Sequence, residues 1–141
     1  MDEGPVLELD FTPLERAVER LAEGLERHRR EADDAQLRDG LIQRFEFTYE
    51  LCHRMLRRYL ALTAPDPDDV ARADFAVLVR TGSDRGLLAG DWTAWRVYRE
   101  MRSRTSHTYD EESSLRVVEG IPAFLEEARH LLDRFRERLS R

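Results

Sequence analysis

The sequence has no lysine: all 23 of its basic residues are arginine. Arginine stays charged at any physiological pH, and its planar fork matches the oxygens of phosphate and carboxylate. Cysteine is nearly absent as well. Cys52 stands alone, which excludes an intramolecular disulfide framework and suits a reducing compartment. Apolar runs never exceed a few residues, so no transmembrane helix is available. The acidic start MDEGPVLELD lacks the basic and apolar regions of a signal peptide. No Gly-rich phosphate loop appears, so nucleotidyltransferase chemistry is not expected of this chain. No Cys/His set has metal-ligand spacing, so neither zinc nor another cofactor is expected. These absences leave a soluble, cytoplasmic protein as the expectation.

What remains is a chain of 141 residues, 41% hydrophobic and 37% charged. That is the length of one domain and the balance of a soluble helical fold. The net charge of −6 argues against a nucleic-acid partner at first. Its distribution changes the picture. Residues 1–35 hold eleven acids against five arginines, whereas residues 36–141 hold eighteen of each. Within the second part Arg96, Arg99, Arg102 and Arg104 face only Glu100, and Arg54, Arg57 and Arg58 form a second basic cluster.

Helix signals fill almost the whole chain. Thr12-Pro13-x-Glu15 reads as a hydroxyl cap, a first-turn proline and a capping-box glutamate. Leu14, Val18, Leu21 and Leu25 follow at helical spacing. A longer helix is expected from about Asp34 to Leu62, with Leu37, Leu41, Phe45, Cys52, Met55 and Tyr59 inward. APDPDD ends it. Asp66-Pro67 reopens a helix carrying Val70, Phe75, Val77 and Leu78, and TGSDRG closes that element. Asp91 can cap the next helix, and the last begins near Asp110 with acids in its first turn. Its expected inner stripe is Leu115, Val118, Ile121, Leu125, Leu132 and Phe135, with a kink at Gly120 and Pro122. Trp92 and Trp95 read as core or dimer contacts, Cys52 as core, and His28 and His130 as exposed. The expected fold is all-α: an antiparallel bundle of four or five helices over residues 11–141, preceded by a loose arm over 1–10.

The polar stretch EMRSRTSHTYDEE, 100–112, interrupts this pattern. On a regular helix Arg102 and His107 would point about 140° apart. Thr105 and Ser106 favour local hydrogen bonds over helix interior, so a break there would let the two side chains converge. A fixed guanidinium and a near-neutral proton shuttle are what metal-free RNA cleavage requires: a base for the 2′-hydroxyl and a cation for the phosphate. On spacing alone the pair does not distinguish such a site from a solvated helix junction.

RSRTSHTYDEE resembles the Arg-x-x-x-x-His-x-Tyr motif of the HEPN superfamily, in the HepT-like subgroup paired with minimal nucleotidyltransferases. Arg102, His107 and Tyr109 fall on the three motif positions. RDGLIQRFEFTYEL, 38–51, resembles the second helix of the same subgroup, earlier described as nucleotidyltransferase substrate-binding proteins. The resemblance implies a homodimeric, metal-independent ribonuclease toxin in a HepT–MntA-type pair. It implies His107 as the proton-transfer group, Arg102 as the phosphate-binding cation, and Tyr109 as the residue a partner nucleotidyltransferase modifies with AMP from ATP. Arg96, Arg99, Ser103 and Arg104 become candidate RNA contacts, and transfer RNA is a substrate class the family suggests. Two positions depart from the pattern: Ser103 stands where these ribonucleases often carry Asn or Asp, and His53 where relatives carry a large apolar residue. His53 is left outside the site. A non-catalytic adaptor for the nucleotidyltransferase, or a helical dimerisation module, also fits the sequence.

Overall fold

The structure, a computed structural model, describes residues 8–107 and 110–139, with His107 described by its backbone only. Those residues form an all-α bundle of six helices: α1 Thr12–Arg30, α2 Ala35–Thr63, α3 Pro67–Arg72, α4 Phe75–Asp84, α5 Trp92–Arg104 and α6 Glu111–Arg138. Among the described residues no helix is long and apolar enough to cross a membrane. No group of three or more His, Cys, Asp or Glu among them could hold a metal.

Most helix starts follow from a single aspartate. Asp34, Asp66, Asp91 and Asp110 each accept a backbone N–H of the first turn, satisfying a donor that has no helical partner. The start of α1 differs from expectation. Thr12 is already helical, and the carboxylate of Asp10, two residues earlier, accepts its N–H at 3.0 Å. A longer-reaching acceptor thus replaces the expected hydroxyl cap.

The single helix expected after Asp66 is two. Asp74 takes an extended backbone, φ −63° and ψ 153°, and separates α3 from α4. The carbonyls of Val70, Ala71 and Ala73 converge instead on Arg57 Nη1, at 2.9, 3.3 and 3.0 Å. α4 then continues through Gly82 and stops only before Gly86, whose φ of +77° is open to glycine at little cost. A side chain at Gly82 would press on Leu56 and Leu88.

Leu14, Val18, Leu21 and Leu25 of α1 are buried, as are Leu41, Phe45, Cys52, Met55 and Tyr59 of α2. On α6 the buried stripe is Val117, Ile121, Phe124, Leu125, Ala128, Leu131, Leu132 and Phe135. Leu115 is not part of it: it lies about 120° around the helix from Ile121 and is 43% exposed. Val77 is likewise exposed, and Val118 is only partly buried. α6 passes through Gly120 and Pro122 as one 28-residue helix. Gly120 is the point of close approach to α5, where an added Cβ would sit 2.5 Å from Met101 Sδ. His28, expected at the surface, is buried, because it falls on the same face of α1 as Leu21 and Leu25.

Trp95 is fully buried among Tyr49, Phe75, Tyr98 and Phe124. Its indole N–H donates to Glu127 Oε1 at 2.9 Å. The same carboxylate accepts the N–H groups of Ala89 (2.8 Å) and Gly90 (2.7 Å), so one buried acid fixes the entry to α5.

Candidate functional site

α5 ends at Arg104, and Thr105–His107 forms a single 3-10 turn before Asp110 caps α6. The break expected at Thr105 and Ser106 is therefore present. The Thr105 hydroxyl lies 2.6 Å from the Arg102 carbonyl, which turns the chain out of the helix. The imidazole of His107 and the whole of Tyr109 lie outside the described residues.

Arg102 points inward from α5, toward α2. Its Nη1 lies 3.0 Å from Glu46 Oε2 and donates to Thr105 Oγ1 at 3.0 Å. Nε and Nη2 both donate to Glu50 Oε1, at 3.2 and 2.5 Å. A guanidinium has five N–H donors; three are engaged in these hydrogen bonds, and Glu46 adds an ion pair. The Glu50 hydrogen bond is the largest influence that raises the Arg102 pKa above its ordinary value, with Glu46 adding to it. The charge of Arg102 is thus fixed in place and surrounded by two carboxylates, leaving this cluster with one excess negative charge.

Beyond Arg102 the remaining candidates line up along the outer part of α5. Arg96 and Arg99 are exposed and form no ion pair among the described residues. Ser103 is exposed, and Arg104 pairs with Glu100 at 3.2 Å. Arg99 faces α2. It acts there on Tyr49, whose hydroxyl is pushed up to about 12 by burial, and on His53.

His53 is half-buried, with its ring 4.1 Å from that of Phe75. Its Nε2 lies 3.3 Å from Arg57 Nη2, a donor, so this nitrogen accepts and the ring is held neutral. Burial lowers its pKa first, then the charges of Arg57 and Arg99. Cys52 is fully buried, and burial holds its thiol protonated.

Sequence reasoning singled out Arg102 but missed Glu46 and Glu50. They stand more than fifty residues upstream, and only the packing of α5 on α2 brings them to it. Their spacing of four, which puts both on one helix face, was the available signal.

A family model described as nucleotidyltransferase substrate binding protein like matches residues 9–137. A protein of Haemophilus influenzae named probable ribonuclease HepT is 42% identical over 99 residues, which span 70% of this chain and 67% of that protein. A solved structure from the same organism, described as revealing the fold of a substrate binding domain of a nucleotidyltransferase, superposes with a TM-score of 0.84. It is 35% identical and covers 90% of this chain and 99% of its own. The family model spans almost the whole chain and the solved fold agrees with its helical architecture, so this chain belongs to the HepT-like, nucleotidyltransferase substrate binding protein family.

Proposed function

We propose that this chain is a metal-independent endoribonuclease, the toxin of a HepT–MntA-type pair, acting as a cytoplasmic homodimer. The observation that carries the reading is the break between α5 and α6. It ends α5 two residues after a rigidly mounted Arg102 and sets His107 in the following turn, in a chain similar to a probable ribonuclease.

In the proposed reaction His107 takes the proton of a 2′-hydroxyl, and the resulting oxygen attacks the adjacent phosphorus. The bond from phosphorus to the 5′-oxygen breaks. That oxygen takes a proton from solvent water, His107 returns its own to solvent, and the products are a 2′,3′-cyclic phosphate and a 5′-hydroxyl. Arg102 stabilises the charge that builds on the phosphoryl oxygens. Arg96, Arg99, Ser103 and Arg104 hold the flanking backbone of the substrate, proposed as transfer RNA. A partner nucleotidyltransferase transfers AMP from ATP to the Tyr109 hydroxyl. The added bulk and negative charge beside the site repel RNA phosphates.

A second reading, a non-catalytic adaptor for the nucleotidyltransferase, is favoured by one observation: Arg102 is already neutralised by Glu46 and Glu50.

The deciding experiment incubates total transfer RNA in EDTA with the purified, unmodified protein and with an identically prepared His107→Ala variant. Cleavage by the wild type alone, with cyclic-phosphate ends, is the expected result. No cleavage by either preparation, with the protein folded and Tyr109 unmodified, would overturn the ribonuclease reading in favour of the adaptor.

A further inference from the structure

Helix α1 separates its charges. Glu15, Glu19 and Glu23, four residues apart, turn toward α6 and line a surface hollow with Arg129, Asp133 and Arg136. Arg16 and Arg20, also four apart, turn toward α2. There they line a groove of about 590 Å³ with Gln43, Arg44 and Phe47. Among the described residues no acidic side chain lines this groove. None of its three arginines forms an ion pair among the described residues.

The groove is a consequence of how α1 and α2 meet. They run antiparallel, with Thr48 against the Ala17 carbonyl at one end and Gly24 against Leu41 and Arg44 at the other. The missing side chain at Gly24 lets Arg44 lie across α1, where Nη1 donates to the Arg20 carbonyl at 2.7 Å. That bond fixes the guanidinium without cancelling its charge. Phe47 stands at the rim, 56% exposed, a high exposure for a large apolar side chain.

We propose that this groove is a second binding site for single-stranded RNA, with a base stacked on Phe47 and the flanking phosphates held by Arg16 and Arg20. An exposed aromatic ring among arginines that have no acid partner is the combination that holds a single strand. The ring accepts any base face, and the guanidiniums follow the backbone. The place is apt as well. Gln43, Phe47, Glu50 and Arg54 share the outer face of α2. Gln43 and Phe47 of that face line the groove, and Glu50 of the same face pairs with Arg102. One strand can therefore cross α2 and reach both. A two-fold contact between copies through this patch would instead set Arg16, Arg20 and Arg44 against like charges. The inference rests on the ribonuclease reading and extends its substrate path.

The test measures binding of a short fluorescein-labelled single-stranded RNA by anisotropy across a salt series, in a His107→Ala background that prevents cleavage. Phe47→Ala should bind about tenfold more weakly, and Phe47→Tyr should restore most of that loss. Arg16→Ala with Arg20→Ala should flatten the plot of log K against log salt by about 1.4, roughly 0.7 per lost phosphate contact. If the parent binds and these variants match it in affinity and slope, the groove is eliminated while the ribonuclease reading stands. If the variants change the molar mass measured by light scattering, the face is a contact between copies and the proposal is overturned. A parent that neither binds RNA nor, with His107 restored, cleaves it removes the ribonuclease reading and this inference together.

Discussion

At the scale of single residues, Glu127 shows how much one buried group can organise. In the sequence it is the second of two adjacent acids in FLEEARH, and nothing in that string separates it from Glu126. In the fold Glu126 is exposed, whereas Glu127 is 4% exposed and accepts three N–H donors. Gly90 must come so close that a Cβ there would lie 2.6 Å from the carboxylate. Replacing Glu127 with alanine leaves the buried Trp95 N–H and the partly exposed Ala89 and Gly90 N–H groups without their acceptor, at a cost of roughly 2–3 kcal/mol. Glutamine can satisfy the donors on one oxygen only, so its loss should be smaller. Urea unfolding monitored by far-ultraviolet circular dichroism should show that order: wild type, Glu127→Gln, Glu127→Ala. Equal midpoints for all three would show that the carboxylate does not organise the loop. Arg102 contrasts with Glu127 in legibility. The motif spacing exposed the arginine, but its partners Glu46 and Glu50 required the pairing of two distant helices, which one-dimensional spacing does not contain.

At the scale of elements, the sequence was most legible where one side chain sets a boundary. Asp34, Asp66, Asp91 and Asp110 each start a helix as their position suggests, and the hydroxyl-rich stretch after Arg104 does end α5. It was least legible where the boundary depends on a partner elsewhere. No glycine or proline marks the break between α3 and α4; the carbonyls at the end of α3 are instead collected by Arg57 of α2. Stripe assignments failed for a related reason. Leu115 and Val77 are apolar and close to the right spacing, but burial depends on where the neighbouring helices lie.

The contact of α5 with α6 yields a prediction at this scale. Gly120 packs against Met101, the residue immediately before Arg102. Gly120→Val must displace the thioether end of the buried Met101 side chain and should cost roughly 1–3 kcal/mol, even though glycine is itself a poor helix former. Thermal unfolding tests it directly. A stability equal to or above wild type would mean that Met101 simply rotates aside. The proposed activity should fall together with stability, because Met101 adjoins Arg102.

At the scale of the whole molecule, a net charge of −6 conceals a sorted surface. Acids gather on the α1–α6 side, while Arg16, Arg20 and Arg44 in the α1–α2 groove and Arg96 and Arg99 on α5 have no ion pair among the described residues. The all-α architecture and the family were legible from helix periodicity and two motifs. The sorting was not, because it depends on which face of each helix meets a neighbour. The proposed homodimer makes a prediction here: light scattering should give twice the chain mass, and His107→Ala should keep that mass while abolishing RNA cleavage. A monomer at working concentration, still active on RNA, would exclude a cleft shared by two copies.

The two carboxylates around Arg102 carry a consequence for how an anion would be received there. A phosphate arriving at this guanidinium does not meet a bare cation in water; it must exchange with Glu50 or Glu46, giving up as much as it gains. A singly charged diester therefore obtains little net attraction, and ordinary backbone phosphates should pass through without lodging. A phosphorane, with more charge on its equatorial oxygens, competes for the same N–H groups on better terms. On the proposed ribonuclease reading, the acids that make Arg102 a poor trap for the resting strand would leave it selective for the strand in the act of breaking.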